Sequence, residues 1–324
     1  MNMKEGLKNS VNSSLKDLGI MQSQFQMIHS GRNSLSWKIK SEKATYFLKK
    51  YINKTGDIRD RLATEKGFLN LLESQNIENI PKIISFSRKY NWIILSWIKG
   101  NPIRNPNYQD WEDLLDFLAS IRKIQKKDIS FEIENASESF FDIFSHAKFI
   151  QFRIKKFLKN LDNNHPPLIS NWIEEKLLKV INLYLNERIY NIKEISHTKN
   201  SAILSQSDIG FHNAMRFEGK LYFFDFEYAG WDDPYKQYTD LVIQPENLMN
   251  YDQATSLLKR FAIILNKKID LNTLLEYIFL YRLKWSIIIL NQILNKNISK
   301  YDKKQIFLKA QSYYKSVGSI WLME

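Results

Sequence analysis

The sequence predicts an α+β protein of two lobes: a β-rich N-terminal lobe at residues 1–99 and a larger, mainly helical C-terminal lobe at residues 100–324. Two observations predict this class. Short apolar runs separated by turn residues dominate the first hundred positions, whereas apolar residues recur at helical spacing over most of the rest. With 324 residues, 44% of them hydrophobic, the chain is long enough to build a core in each lobe.

The elements of the N-terminal lobe follow from these runs and from the turn residues between them. Polar, glycine-containing or asparagine-containing segments separate the apolar runs and predict tight connections. The predicted elements are, in order, an amphipathic helix at 4–18, strands at 25–29, 35–39 and 44–51, a helix at 58–72, and a strand pair at 83–86 and 92–95.

The C-terminal lobe is predicted from 3.6-residue periodicity. The exception is the segment at 203–226, where short apolar runs and turn residues predict strands and loops. Asp233 followed by Pro234 is typical of a helix N-cap with proline at the first helical position. The other predicted helices lie at 108–125, 138–161, 173–185, 254–265, 271–294 and 303–317.

Composition limits the available chemistry and partners. Cysteine is absent, which excludes disulfides, thiolate metal sites and cysteine nucleophiles and is typical of a cytoplasmic protein. The polar first ten residues predict no secretory signal, and no run of about 18 apolar residues predicts a membrane span. The formal net charge of +12 suits attraction to anions, but the lysines are scattered, so we expect no nucleic-acid partner.

An acid, an amide and a second acid form the most informative pattern in the chain. Asp208 is followed by Asn213 five residues later, and Asp225 comes directly after a short apolar run. Kinase-type phosphoryl transfer uses the first acid to orient or deprotonate a hydroxyl, and the amide and second acid to hold Mg²⁺ on ATP. Magnesium prefers such hard oxygen ligands and needs few of them, because the phosphates supply others. The spacing therefore predicts Asp208 as the base and Asn213 and Asp225 as metal ligands.

Lys49 and Glu65 are the candidates for holding the nucleotide phosphates. Lys49 lies near the end of the third predicted strand, and Glu65 lies in the helix that follows. A strand lysine held by a helix glutamate places a positive charge on phosphate groups. The alternative is that Lys49 and Lys50 protect an exposed edge strand. Because side chains alternate along a strand, we expect Lys50 to face away from Lys49.

Three further residues are candidates for nucleotide contacts. Gly31, in the connection between the first two strands, would let backbone N–H groups approach phosphate, although a simple hairpin turn explains it equally well. Ser96 and Ile98 follow the last strand of the small lobe, where a kinase-like cleft binds adenine through the backbone. An ordinary connector between lobes would have the same sequence.

The substrate side is predicted from residues after the second acid and from the late apolar helix. Glu227 and Trp231, which follow the second acid, are candidate substrate contacts. Lys284 and Trp285 are candidates as well, because polar residues in an apolar helix often face a cleft. Satisfied structural pairs on that helix are the alternative. For His212 the alternatives are a general base and a structural hydrogen bond within the catalytic loop.

Over most of its length the chain resembles the aminoglycoside phosphotransferase and choline kinase-like family of small-molecule kinases. The residues that carry the resemblance are Leu48-Lys49, Arg61 to Glu65 with Phe68-Leu69, Pro81, Leu95 to Gly100, Ser207-Asp208 with Asn213, and Asp225 to Tyr228. The resemblance implies a bilobal, protein-kinase-like fold and a cytoplasmic enzyme that uses ATP to phosphorylate a small-molecule hydroxyl. It assigns the same roles to Lys49, Glu65, Asp208, Asn213 and Asp225.

The chain departs from the family at the catalytic loop. Most relatives have His-Gly-Asp where this chain has Gln206-Ser207-Asp208. The acceptor suggested first is a sugar or amino sugar, and second an amino alcohol such as choline. Glu227, Tyr228 and Trp231 would suit the choline-like cation through carboxylate and cation–π contacts. Two rival hypotheses remain: a catalytically inactive pseudokinase that binds nucleotide as a regulatory module, and a nucleic-acid binder suggested by charge alone.

Overall fold

The computed structural model describes most of the chain, and its described residues form two compact units. The first unit comprises Met1–Ser137 and Gln206–Gly230, and the second comprises Glu138–Ser205 and Trp231–Glu324. The described residues are 3–21, 23–30, 33–53, 59–129, 131–161, 165–187, 202–246, 248–266, 268–295 and 298–322.

A five-stranded antiparallel sheet dominates the first unit. Its strands are β1 (Gln24–Ser30), β2 (Ser34–Lys40), β3 (Thr45–Tyr51), β4 (Ile83–Ser87) and β5 (Trp92–Ser96), in the order β1-β2-β3-β5-β4. All five predicted strands are confirmed. Since β3 lies between β2 and β5, Lys49 and Lys50 do not lie on an edge strand, and that alternative is wrong.

Helix α1 (Glu5–Asp17) covers one face of this sheet. Its apolar residues share a buried core with side chains of β2, β3 and β5. This burial explains why a helix made mostly of polar residues forms, since packing of one apolar face stabilises most protein helices. The core consists of Val11, Leu15, Trp37, Ile39, Leu48, Trp92 and Ile94.

Helix α2 (Arg61–Ser74) places Glu65 in the interior of the first unit. Asp60 caps the helix by accepting a hydrogen bond from the Ala63 N–H at 2.9 Å, which fixes the first helical residue as Arg61 rather than residue 58. Residue 58 itself lies outside the described residues. The buried side of α2 includes Leu62, Phe68 and Glu65, whose side chain is 1% exposed.

The rest of the first unit carries the acidic motif on short elements. These are α3 (Tyr108–Lys123) and a three-stranded antiparallel sheet of β6 (Asn101–Pro102), β8 (Ala214–Phe217) and β9 (Lys220–Phe223), ordered β6-β8-β9. Phe117 of α3 stacks on Phe223 with ring centroids 4.0 Å apart. This contact fixes the end of β9, two residues before Asp225.

The second unit is mainly helical. Predicted helices are found with adjusted bounds: the one expected from 138 begins at Ile143, because Asp142 caps it through the Ser145 N–H at 2.7 Å. Among the described residues no helix is long and apolar enough to cross a membrane. The helices are α4 (Ile143–Asn160), α5 (Pro167–Ile173), α6 (Lys179–Glu187), α7 (Pro234–Ile243), α8 (Tyr251–Leu265), α9 (Leu271–Leu290) and α10 (Lys300–Val317), with a short sheet of β7 (Ile203–Ser205) and β10 (Gly230–Asp232).

Candidate functional site

One cavity of about 600 Å³ in the first unit collects most of the predicted site residues. Those that line it are Lys49, Glu65, Ser96, Ile98, Asp208, Asn213, Asp225 and Glu227. Elements far apart in the chain, namely strand β3, helix α2, the segment after β5 and the two acidic segments, therefore surround one space. Gly31 was also predicted to line it, but this residue lies outside the described part of the chain.

Lys49 stands at the centre of a cluster of three carboxylates. Its Nζ donates hydrogen bonds to Glu65 Oε2 at 2.7 Å and to Asp225 Oδ1 at 2.6 Å. Glu227 Oε2 lies 3.0 Å from the same Nζ but lacks hydrogen-bond geometry, so this contact is electrostatic. We name Lys49, Glu65, Asp225 and Glu227 the carboxylate cluster.

The carboxylate cluster carries an excess of negative charge. Three acids face one ammonium, and Arg61 adds a second cation 3.5 Å from Glu227 Oε1, which still leaves a formal excess of one negative charge. Burial alone would lower the pKa of Lys49, but Asp225 and Glu65 raise this pKa well above its usual value. Lys49 is therefore a permanent cation in a site that can accept further positive charge.

The arrangement of the three acids suits a divalent cation. Glu65, Asp225 and Glu227 each offer a carboxylate oxygen, and these oxygens lie within 4.8 Å of one another. Asp225 is the accessible member, with 39% of its side chain exposed against 1% for Glu65 and 4% for Glu227. A cation entering the cavity would therefore meet the Asp225 carboxylate first.

Backbone conformation aims Asp225 into the cavity. Its φ is +66°, in the left-handed region that few non-glycine residues adopt. The next residue, Phe226, is fully buried and packs on Phe68 with ring centroids 5.4 Å apart. The turn thus exposes the acid while its neighbour anchors the segment in the core, an arrangement typical of functional positions.

The Asp208 loop is held by amide side chains. Asn213 Nδ2 donates to the Asp208 carbonyl oxygen at 2.9 Å, and Gln206 Nε2 donates to the same oxygen at 3.3 Å. The Phe224 N–H donates to the Asn213 carbonyl at 3.0 Å, which ties this loop to the segment of Asp225. Gln206 thus braces the loop at the position where most relatives of the predicted family have histidine.

His212 lies beside the predicted base. Its Nε2 is 3.3 Å from Asp208 Oδ1, and the side chains are 34% and 37% exposed. This contact joins two residues of the Asp208 loop, and both alternatives for His212, a general base and a structural hydrogen bond, stay predictions.

Two partners of the carboxylate cluster were not singled out from the sequence. The Tyr51 hydroxyl donates to Glu65 Oε2 at 2.6 Å, and the Arg61 guanidinium lies over the Tyr228 ring, 5.6 Å from its centroid. Burial, followed by the nearby Glu227 charge, raises the pKa of Tyr228 to about 12. Two-residue alternation along β3 places Tyr51 on the Lys49 side and could have identified it; no sequence signal pairs Arg61 with its partners.

The remaining candidates for substrate contact belong to the second unit. Lys284 Nζ and Trp285 Nε1 each donate to Asp240 Oδ1 at 2.9 Å. Burial lowers the pKa of Lys284 to about 8, despite the opposing effect of Asp240. These side chains form the satisfied pairs of the alternative hypothesis, and contact of Trp231, Lys284 and Trp285 with substrate stays a prediction.

Comparison with known proteins identifies the fold. No protein-family model and no curated protein sequence matches the chain, but solved structures do. A spectinomycin phosphotransferase in complex with ADP and spectinomycin matches with a TM-score of 0.66 at 16% identity, covering 95% of this chain and 98% of that chain. A choline kinase from Streptococcus pneumoniae matches with a TM-score of 0.65 at 14% identity, covering 96% and 100%.

A third similar structure is an ethanolamine kinase from Plasmodium vivax, with a TM-score of 0.60 at 17% identity, covering 98% of this chain and 89% of that chain. All three similarities span nearly the whole chain. They confirm the predicted protein-kinase-like α+β fold, and at the level of fold they confirm the resemblance to aminoglycoside phosphotransferases and choline kinases.

Proposed function

We propose that this chain is an ATP- and Mg²⁺-dependent phosphotransferase that moves the γ-phosphate to a hydroxyl of a small molecule. One observation carries the proposal: Lys49 is held by Glu65 and Asp225 in the same cavity that Asp208 and Asn213 line. A lysine-glutamate pair, a metal-binding acid and a base around one space are the parts that kinase-type phosphoryl transfer requires.

The side chains fit a magnesium ion. The excess negative charge of the carboxylate cluster favours a divalent cation, and Asp225 offers it an accessible carboxylate. Asn213 Nδ2 donates a hydrogen bond to the Asp208 carbonyl, so the Oδ1 of the same side chain remains available as a metal ligand. In this role the ion would neutralise negative charge on the phosphate groups.

The side chains also fit a nucleotide. We assign Lys49 to the phosphates and Glu65 to its orientation, since burial and two hydrogen bonds hold the ammonium in place. Ser96 and Ile98 line the cavity at the end of β5, where the backbone would bind the base. Similar structures contain ADP or AMP, which supports the assignment.

Asp208 is assigned the role of base. Its carboxylate is over a third exposed, lines the cavity and lies 3.3 Å from His212 Nε2, while the amides of Asn213 and Gln206 fix its backbone. A carboxylate held in this way would orient the acceptor hydroxyl and take its proton as the oxygen attacks the γ-phosphorus, while the bond from that phosphorus to the bridging oxygen breaks and ADP leaves.

The acceptor is proposed as a class. The similar structures are named as kinases or phosphotransferases of spectinomycin, choline and ethanolamine, which are all small molecules with hydroxyl groups. We keep a sugar or amino sugar as the first proposal and an amino alcohol as the second. Glu227 already contacts Lys49 and Arg61, so an amine that used it would compete with these cations.

The test is an ATP-consumption screen against sugars, amino sugars and amino alcohols with Mg²⁺, comparing the wild type with Asp208→Asn. The variant should bind Mg·ATP with wild-type affinity and lose at least about 100-fold in turnover, because Asp208 acts on the acceptor hydroxyl. Equal turnover in both proteins would overturn the assignment. Mg·ATP binding with no turnover for any acceptor would favour the pseudokinase hypothesis.

A further inference from the structure

A second cavity of the first unit, of about 700 Å³, has six cations among the described residues that line it. Among the described residues that line it, one carries a carboxylate, Asp60, which also caps α2. We name this cavity the basic groove. Its cations are Lys4, Lys50, Arg59, Arg88 and Lys89, together with Arg61, which also faces Glu227 of the carboxylate cluster.

Strand β3 contributes side chains to both the basic groove and the cavity of the carboxylate cluster. Lys49 lines one cavity and its neighbour Lys50 lines the other, as alternation along the strand predicts. Arg88 and Lys89 reach the groove from the turn between β4 and β5, and Lys4 from the start of α1. Positions far apart in the chain thus concentrate positive charge in one concave surface.

Lys50 is a half-buried cation of the groove. Among the described residues no carboxylate forms an ion pair with it, and burial lowers its pKa. An ammonium that has lost part of its hydration without gaining a counterion binds an anion more favourably than a fully solvated one. The groove therefore contains positive charge that the described residues do not neutralise and that an anion could.

Helix α1 adds to the same potential. Its residues Gly6 and Leu7 line the groove, and within the described part of the chain no side chain caps its N-terminus. The Leu7 and Lys8 N–H groups donate to the Lys4 carbonyl at 3.0 Å, so the N–H groups of Glu5 and Gly6 remain at the end that the helix dipole makes positive. Glu5 places one acid in the same turn, so the helix end makes a smaller contribution than the side-chain cations. These groups and the side-chain cations attract the same kind of ligand.

We propose that the basic groove binds a compact anion with two or more phosphate groups, and that this binding requires no metal ion. A phosphate-rich small molecule matches a concave surface with clustered cations. Nucleic acid fits less well, because it needs an extended basic stripe with stacking rings, and the aromatic residues here are Tyr51, which is 1% exposed, and Tyr90, beneath Lys89.

The test is calorimetric titration of the full chain with inorganic tripolyphosphate in EDTA. Without metal, the excess carboxylates of the Lys49 cavity oppose phosphate binding, so the signal reports the groove. The combined variant Lys50→Gln, Arg88→Gln and Lys89→Gln should bind at least about tenfold more weakly than the wild type, because three attractive charges are lost. The matched control is Lys155→Gln, Lys156→Gln and Lys159→Gln, three exposed cations of α4, which should change affinity less than about twofold.

Thermal melting supplies a second readout. Tripolyphosphate should raise the Tm of the wild type and of the α4 control but not of the groove variant, whose own Tm without ligand reports its folding. Equal weakening in both triple variants, or no metal-free binding by the wild type, would overturn the proposal. A single strand of about 20 nucleotides that binds more tightly than tripolyphosphate, and is lost in the groove variant, would replace it with a nucleic-acid site.

Discussion

Two neighbouring lysines of β3 lie in opposite electrostatic environments. Lys49 is almost fully buried among the three acids of the carboxylate cluster, and its pKa is raised by Asp225 and Glu65 despite burial. Lys50 lies in the basic groove with other cations, and its pKa is lowered by burial. The same residue type, one position along the strand, therefore meets an excess of acid on one face and an excess of base on the other.

This difference separates two ways of attracting phosphate. On the Lys49 face, the excess carboxylates oppose a phosphate group unless a divalent cation accompanies it. On the Lys50 face, cations and a helix N-terminus attract phosphate directly. Metal dependence, rather than the presence of lysine, is the property that should distinguish the two cavities.

The largest expected effect is on stability and follows Lys49→Met. The substitution keeps an apolar stem but leaves three acids, two of them buried, without their shared ammonium. We expect a loss of about 3–5 kcal/mol in the free energy of unfolding, because removal of one partner leaves buried charges uncompensated. Urea denaturation monitored by circular dichroism measures it.

Magnesium should partly reverse this loss, because the acids left behind can bind a divalent cation. With roughly 10 mM Mg²⁺, the Tm of Lys49→Met should rise more than the Tm of the wild type. Lys40→Met, at an exposed position of β2, is the control and should remain close to wild type. A Lys49→Met protein as stable as this control would contradict the charge balance described for the cluster.

The next effect is on nucleotide binding and follows Asp225→Ala. Asp225 is the accessible acid of the cluster, so its loss should weaken Mg·ATP binding by at least about 100-fold, and by more than Asn213→Ala, which removes an amide dipole rather than a charge. Metal-free binding of tripolyphosphate in the basic groove should be unchanged, because Asp225 does not line it. Calorimetry with and without Mg²⁺ measures both; wild-type Mg·ATP affinity in Asp225→Ala would rule out the metal role.

The sequence was sufficient to predict the residues whose position depends on local rules. Asp208, Asn213 and Asp225 stand out because polar residues at short spacing follow apolar runs. The opposite facing of Lys49 and Lys50 follows from strand alternation alone. The five strands were likewise predictable from apolar runs and turn residues, since each is bounded by local sequence signals.

Contacts between residues far apart in the sequence could not be predicted in this way. Lys49 and Asp225 are 176 positions apart in the sequence, and Arg61 and Glu227 have a similar separation in the sequence. Neither pair therefore produces a local sequence pattern. The charges of the basic groove are scattered over positions 4 to 89 and look diffuse in the sequence. The predicted start of a helix was wrong for a different reason. At α4, the Asp142 cap rather than apolar periodicity sets the first helical residue.

The smallest expected effect follows Lys50→Met and has the opposite sign to that of Lys49→Met. Lys50 is a half-buried cation with no carboxylate counterion in the described part of the chain, so its removal should raise Tm by about 1 °C at neutral pH in buffer without phosphate. The gain is small because solvent still screens much of the charge.

Burial lowers the pKa of Lys50 below its usual 10.5. Between the lowered value and 10.5 the unfolded chain binds more protons at this residue than the folded chain, so wild-type stability rises with pH. The advantage of Lys50→Met should therefore shrink as the pH approaches 10.5, whereas Lys40→Met should show neither the gain nor its loss. Melting curves of the three proteins at neutral and alkaline pH test this, and a fall in Tm for Lys50→Met at neutral pH would mean that Lys50 has a stabilising anionic partner.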